Sequence, residues 1–330
     1  MTIVGYLEIR RRACMAVLAL AVSAILSPTV QAQDYPTRTV QVIVPFAPGA
    51  GSDTVARLIA QKMSDGLGQP VVVENKSGAG GMLANRYVAG SVPDGHTLLL
   101  VTGAYPAQAA MLKQLSFDPL KDISMISLLI EYPFVLIVRP DASFRTVGDI
   151  VAHAKSNPKS LNYATTGAGS VHHLASELFN MMAGVETVSI AYRGGATQIL
   201  ELLAGRVDFV FETLPSAAAA IADGRVRPIA VTTKERWPTL PNVPSVADTL
   251  PDFEVLSFLG LAAPGGTPAP IVAKLNAEVR RILALEDTRA RLRVLGGELR
   301  VVSAAEMQSF VANEVRKWTE VVSARGIERQ

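Results

Sequence analysis

Cysteine is almost missing: Cys14 stands alone in 330 residues. It lies in a segment where Arg10, Arg11 and Arg12 precede the 14-residue apolar run ACMAVLALAVSAIL, and the small-residue triplet VQA ends at Ala32. This pattern predicts a signal peptide over residues 1–32, cut near Ala32/Gln33, and export to the periplasm. The exported chain would have no thiol, which excludes disulfides, a cysteine nucleophile and thiolate metal ligands. Cys14 opens the apolar run instead of closing it, so no lipid anchor is expected. The run is short for a membrane span, and no other stretch reaches 18 uninterrupted apolar residues.

An excess of one charge is missing too. Lys and Arg total 31 against 29 Asp and Glu, and Glu8 with the three arginines of the signal accounts for the whole surplus. A near-neutral exported protein argues against a nucleic-acid binder, which needs a basic face. Histidine is scarce, four in all, and His172 and His173 are adjacent without an H-x-x-x-H spacing, so no metal centre is expected. No Walker loop and no G-x-S-x-G elbow occurs. No cofactor is expected.

What is abundant is alternation of β-prone runs and amphipathic helical stretches. TVQVIVPF (39–46), PVVVENK (70–76) and HTLLLVTG (96–103) read as strands, with a helix at 53–68 between the first two and a shorter one at 78–91. A second alternating set runs from PFVLIVRP (133–140) to VRPIAVTT (226–233). PDFEVLSFLGLAAPGGTP then returns in extended form, and two long amphipathic helices close the chain. The fold class expected is α/β, a two-lobe arrangement in which each lobe is a βαβ-rich sheet flanked by helices. Residues 34–135 with 258–330 form one lobe, the inserted 136–257 the other, and two strands cross between them around a ligand cleft. One continuous sheet is the alternative.

Each lobe carries a strand–glycine loop–helix device: VIVPFAPGAGSD (42–53) in one, NYATTGAGSVHH (162–173) in the other. Free N–H groups and the positive dipole end at a helix start attract an anion without a charged side chain. Gly49, Ala50, Gly51 and Ser52 can close around a carboxylate from one side, and Thr166, Gly167, Gly169 and Ser170 from the other. Taken singly, either loop is equally well a tight strand-to-helix turn. Neither is G-x-G-x-x-G, because Thr54 and His172 occupy the third positions. Asp53 reads most simply as an N-cap. Glu212 ends a strand near the cleft, where it would bind an amine or hydroxyl or serve a loop. Arg193 would add positive potential or face solvent, and Phe46 and Tyr105 would supply apolar walls.

These stretches, together with GQPVVVENKSGAGG, PDGHTLLL, AYRGGA, LLAGRVDFVFETLPS, LPNVPSVADT and GLAAPGGTPAPIVAKLNAEV, resemble the substrate-binding proteins of tripartite tricarboxylate transporters, often called Bug receptors. The resemblance spans the chain after its signal. It implies a two-domain periplasmic binding protein, a monomer, that takes a small carboxylate and delivers it to an integral-membrane permease, without catalysis. It also implies ligand contacts at Phe46, Gly49, Ala50, Gly51 and Ser52 in the first loop, and at Thr166, Gly167, Ser170 and His173 in the second. Ala50 replaces a glycine common in the family, Glu212 an aspartate, and Tyr105 a smaller polar residue. These departures leave the acid open among dicarboxylates, tricarboxylates and aromatic acids, with Tyr105 favouring a bulkier one. The competing readings are a secreted enzyme using Ser170, His173 and Glu212, and a binding protein serving a sensor.

Overall fold

The computed structural model describes residues 35–329, apart from Ala50, Leu115, Arg193 and Gly194. The expected signal peptide and the expected contributions of Ala50 and Arg193 therefore lie outside the described residues. The first half builds β1 (Val40–Val44), α1 (Gly51–Leu67), β2 (Val71–Asn75), α2 (Met82–Ala89), β3 (Thr97–Thr102), α3 (Ala104–Met111) and the 16-residue β4 (Ile123–Val138). There follow α4 (Val147–Ser156), β5 (Asn162–Thr165), α5 (Val171–Ala183), β6 (Val188–Ala191), α6 (Gly195–Leu203), β7 (Val210–Thr213), α7 (Leu214–Ala222) and β8 (Arg227–Val231). The chain closes with β9 (Leu256–Pro264), α8 (Ala269–Ala284), α9 (Glu286–Val294), β10 (Glu298–Leu299) and α10 (Ala304–Ala324).

Two sheets share one strand. In the first lobe the order is β10-β4-β9-β3-β1-β2, with β1 parallel to both β2 and β3 and with β9 antiparallel to β3 and β4. β4 pairs with β9 from Ile123 as far as Pro133, then from Phe134 onward with β7 and β8 of the second lobe. Proline has no N–H to give to a ladder, so Pro133 suits the point where one sheet hands over to the next. Thr232 fastens the crossing: its hydroxyl accepts the Phe134 N–H at 2.8 Å and donates to the Val255 carbonyl at 2.6 Å. β5 and β6 form a parallel pair, tied to the β7 side by a bridge between Tyr163 and Phe209.

β1 and β3 read as near-continuous apolar runs because helices cover both faces of a parallel sheet; VIV of β1 and LLLV of β3 are fully buried. The core of the second lobe is aromatic, with Phe179, Phe209, Phe211 and Phe253 in mutual ring contact. α10 serves both cores: Met307 and Val311 pack with β3, β4 and β9 residues, while Trp318, Val321 and Val322 pack with α5 and α3. Among the described residues no helix is long and apolar enough to cross a membrane.

Candidate functional site

A cavity of about 740 Å³ lies between the lobes, within the usual size of small-ligand sites. Phe46, Gly51, Ser52 and Val55, from the first glycine loop and the opening of α1, form part of one wall. Thr166, Gly169, Ser170 and His172 of the second loop and α5 form the other. Ile130, Tyr132 and Phe134 of β4 and Ser257 and Leu259 of β9 contribute where the lobes meet, and Thr213 and Ser216 come from the β7–α7 junction. Thus the two loops singled out in the sequence do face one space.

The first loop is pinned by Asp53. The helix begins at Gly51, so Asp53 sits inside its first turn and is not the N-cap expected. Its carboxylate nevertheless takes an N–H ahead of the helix, that of Gly49, at 2.9 Å. It also accepts from Arg57 and from the Asn75 amide, each at 2.9 Å, and Asn75 in turn donates to the Phe46 carbonyl. The Arg57 guanidinium, with the Gly49 and Asn75 donors and against the opposing effect of burial, holds the carboxyl at about 2. Gly49 has φ +83°, a left-handed conformation that favours glycine, and its side faces open space instead of the cavity lining.

The second loop is pinned by two imidazoles. Ser170 is the N-cap of α5, its hydroxyl accepting the His173 N–H at 3.2 Å. The Gly169 N–H donates to His173 Nδ1 at 3.1 Å, and Thr166 Oγ1 lies 3.2 Å from His172 Nδ1. His173 is therefore a brace behind the loop and not part of the lining; burial pushes its pKa down, against the raising effect of Glu177. Gly167 also stays off the lining, with φ +124° and its N–H held by the Thr165 hydroxyl. The imidazole that lines the cavity is His172.

Glu212 is buried, 1% exposed, instead of reaching the ligand space. One oxygen lies 3.4 Å from His172 Nε2 and accepts the Thr213 N–H at 2.8 Å, and the other accepts from Gln198 at 3.2 Å. Tyr105 is likewise 3% exposed and off the lining. Along α3 the residues facing the cavity are Ala104, Ala107, Gln108 and Met111, the i, i+3, i+4, i+7 stripe of one helix face. Tyr105 is one position round from it, so its ring meets Phe117 at 6.5 Å and its hydroxyl donates to the Pro119 carbonyl at 2.7 Å. Desolvation raises its phenol pKa. The expected preference for a bulky acid therefore loses its residue.

Sequence reasoning missed the α3 face, Tyr132, Ser257 and Ser216. Their signal was weak: AYPAQAAM carries a proline and few large apolar residues, and the strand run was read from 133 instead of 123. Among the described residues the lining has no lysine, arginine or carboxylate. Its polar groups are hydroxyls, amides, backbone and one imidazole, while Phe46, Met111, Phe134 and Leu259 supply apolar surface.

Two lobes joined by crossing strands, with a cavity at the junction that mixes hydroxyls and apolar surface, define a solute-binding protein of the periplasmic type. The chain belongs to a particular family of these: residues 55–327 match the tripartite tricarboxylate transporter family receptor, TctC. It is 34% identical over 317 residues to a protein encoded in the tcbD-tcbE intergenic region of Pseudomonas sp. strain P51, covering 96% of this chain and 94% of that one. BugT of Bordetella pertussis is 31% identical over 93% of this chain and 95% of its own length. Among solved structures, an R. palustris protein with adipate superposes with a TM-score of 0.78 at 35% identity, covering 89% of this chain and 99% of that one. MatC from Rhodopseudomonas palustris with bound malate gives 0.76 at 37% identity, covering 87% and 100%.

Proposed function

We propose that the protein is a periplasmic receptor that closes its two lobes over a small organic carboxylate and presents it to a tripartite tricarboxylate-type permease, leaving the ligand unchanged. The observation that carries this reading is that two helix-opening loops, one from each lobe, face a single cavity and line it with the hydroxyl residues Ser52, Thr166 and Ser170. One carboxylate gripped from both sides is bound better closed than open, and only such differential contact drives closure. The lobes would be 34–135 with 258–330 and 136–257, turning about the β4 and β9 crossings. The proposed ligand contacts are Phe46, Gly51, Ser52, Thr166, Ser170 and His172, with Gly49, Gly167 and His173 as supports. The relatives solved with adipate and with malate favour aliphatic dicarboxylates.

The test is a thermal-shift screen of ligand-stripped protein against dicarboxylates from succinate to adipate, malate, citrate, glutamate, benzoate and terephthalate. Saturable stabilisation by one class, with the acid recovered intact, is the expected result. A melt that no carboxylate moves, or turnover of the acid that does, would overturn it.

A further inference from the structure

His172 is the one side chain among the described lining residues that can become a cation near neutral pH. Behind it, at 3.4 Å, stands the buried carboxylate of Glu212. Among the described residues, an incoming anion therefore meets a wall with a negative charge just beneath the surface and no fixed positive charge on it.

The hydrogen bonds around the ring have a polarity that the proton count decides. With Nε2–H donating to Glu212, a neutral ring has a bare Nδ1, which takes the hydroxyl proton of Thr166 at 3.2 Å. Thr166 then shows the cavity only lone pairs, which repel a carboxylate. Adding a proton at Nδ1 reverses that bond: the ring donates, Thr166 Oγ1 accepts, and the hydroxyl hydrogen is freed to point at the ligand. One proton thus supplies a charge that offsets Glu212 and turns Thr166 from acceptor into donor.

Among the described residues, the other groups packed round His172 do not supply that charge. Phe134 of β4 meets the ring at right angles, 5.2 Å between centroids. Tyr132 of β4 is a part-buried phenol whose pKa is raised by desolvation and by the Glu212 charge, against a hydrogen bond with Ser257. Gln198 of α6 donates to Glu212. His173, next on α5, is turned to the Gly169 N–H and to Glu177.

We propose that His172 is a specificity-determining residue that binds the ligand carboxylate as imidazolium, so that wherever the ring of the free protein is neutral the anion enters with a proton taken from solvent. This rests on the carboxylate reading above and adds a proton stoichiometry to it.

The experiment is calorimetry of adipate and of malate binding to the wild-type protein, in buffers of different ionisation enthalpy, from about pH 6 to about pH 8. Proton uptake approaching one per ligand is expected, with affinity falling by up to about tenfold per pH unit on the alkaline side. His172→Gln should abolish the uptake and flatten the profile. Saturable binding with no uptake, or uptake that persists in H172Q, would overturn the proposal. If H172Q does not fold, ¹⁵N spectra of the wild-type imidazoles decide it: saturation with ligand must convert the His172 signals from neutral to imidazolium, and unchanged signals overturn it. If neither these acids nor any other of the panel binds wild-type protein, the carboxylate reading itself falls, and this one with it.

Discussion

Replacing Asp53 by asparagine removes the charge that pins the first loop while keeping the side chain's size. The carboxylate is 3% exposed and accepts from Gly49, Arg57 and Asn75. Its pKa is lowered from 3.8 to about 2, chiefly by the Arg57 hydrogen bond. At about 1.36 kcal/mol per pH unit the interaction stabilises the folded state by at most about 2 kcal/mol, at most because Arg57 is half exposed and its contribution is screened. The folded value lies below the unfolded one, so this stability is fully present above the unfolded pKa and is lost as pH falls from about 4 towards 2. Urea unfolding of wild type and D53N at pH 7 and near pH 2 measures it. The expected gap is about 1–2 kcal/mol at pH 7, roughly a 2–4 °C loss in Tm, and it should close in acid. Moderate salt should shrink it. A gap of equal size at both pH values would show that shape and not charge holds the loop, and no gap at pH 7 would refute the staple altogether.

Two further substitutions probe the crossing and the second loop. Thr232→Val keeps the volume but strips the Phe134 N–H and the Val255 carbonyl of their buried partner, which should cost about 2–3 kcal/mol; an unmoved urea midpoint would mean the crossing does not depend on that hydroxyl. Gly169→Ala places a methyl at φ +73° and 2.7 Å from Met111 Cγ on the cavity wall, so about 1–2 kcal/mol of strain should come with weaker carboxylate binding as Met111 shifts. Gly167→Ala, whose new methyl meets open space, should strain the loop without that displacement; equal losses of affinity in the two variants would count against the Met111 contact.

Much of the architecture was legible in local pattern. Period-two and continuous apolar runs located β1, β2 and β3, the amphipathic repeats located α8 and α10, and the glycine-punctuated stretches located both loops, because each depends on residues near one another in the chain. Ser170, read from the sequence as a loop contact, is the N-cap of α5. Where local rules ran out, the errors share a cause. Asp53 looked like a cap because residue type reports a helix start only to within a residue or two, and its partners Arg57 and Asn75 lie on α1 and β2. Tyr105 looked like a ligand contact because it follows a strand, yet a helix turn of about 100° per residue separates it from the cavity face.

The sequence by itself determined that this chain alternates strand and helix and that two glycine loops open helices. Those properties are local or compositional. Only the tertiary structure decided which side chains face the ligand space. Glu212 and His172 stand 40 residues apart and meet at 3.4 Å because β7 and α5 converge there. Of two adjacent histidines, successive helix positions send His172 to the cavity and His173 behind the loop, a division that depends on how α5 lies against its neighbours and not on the two letters that spell it.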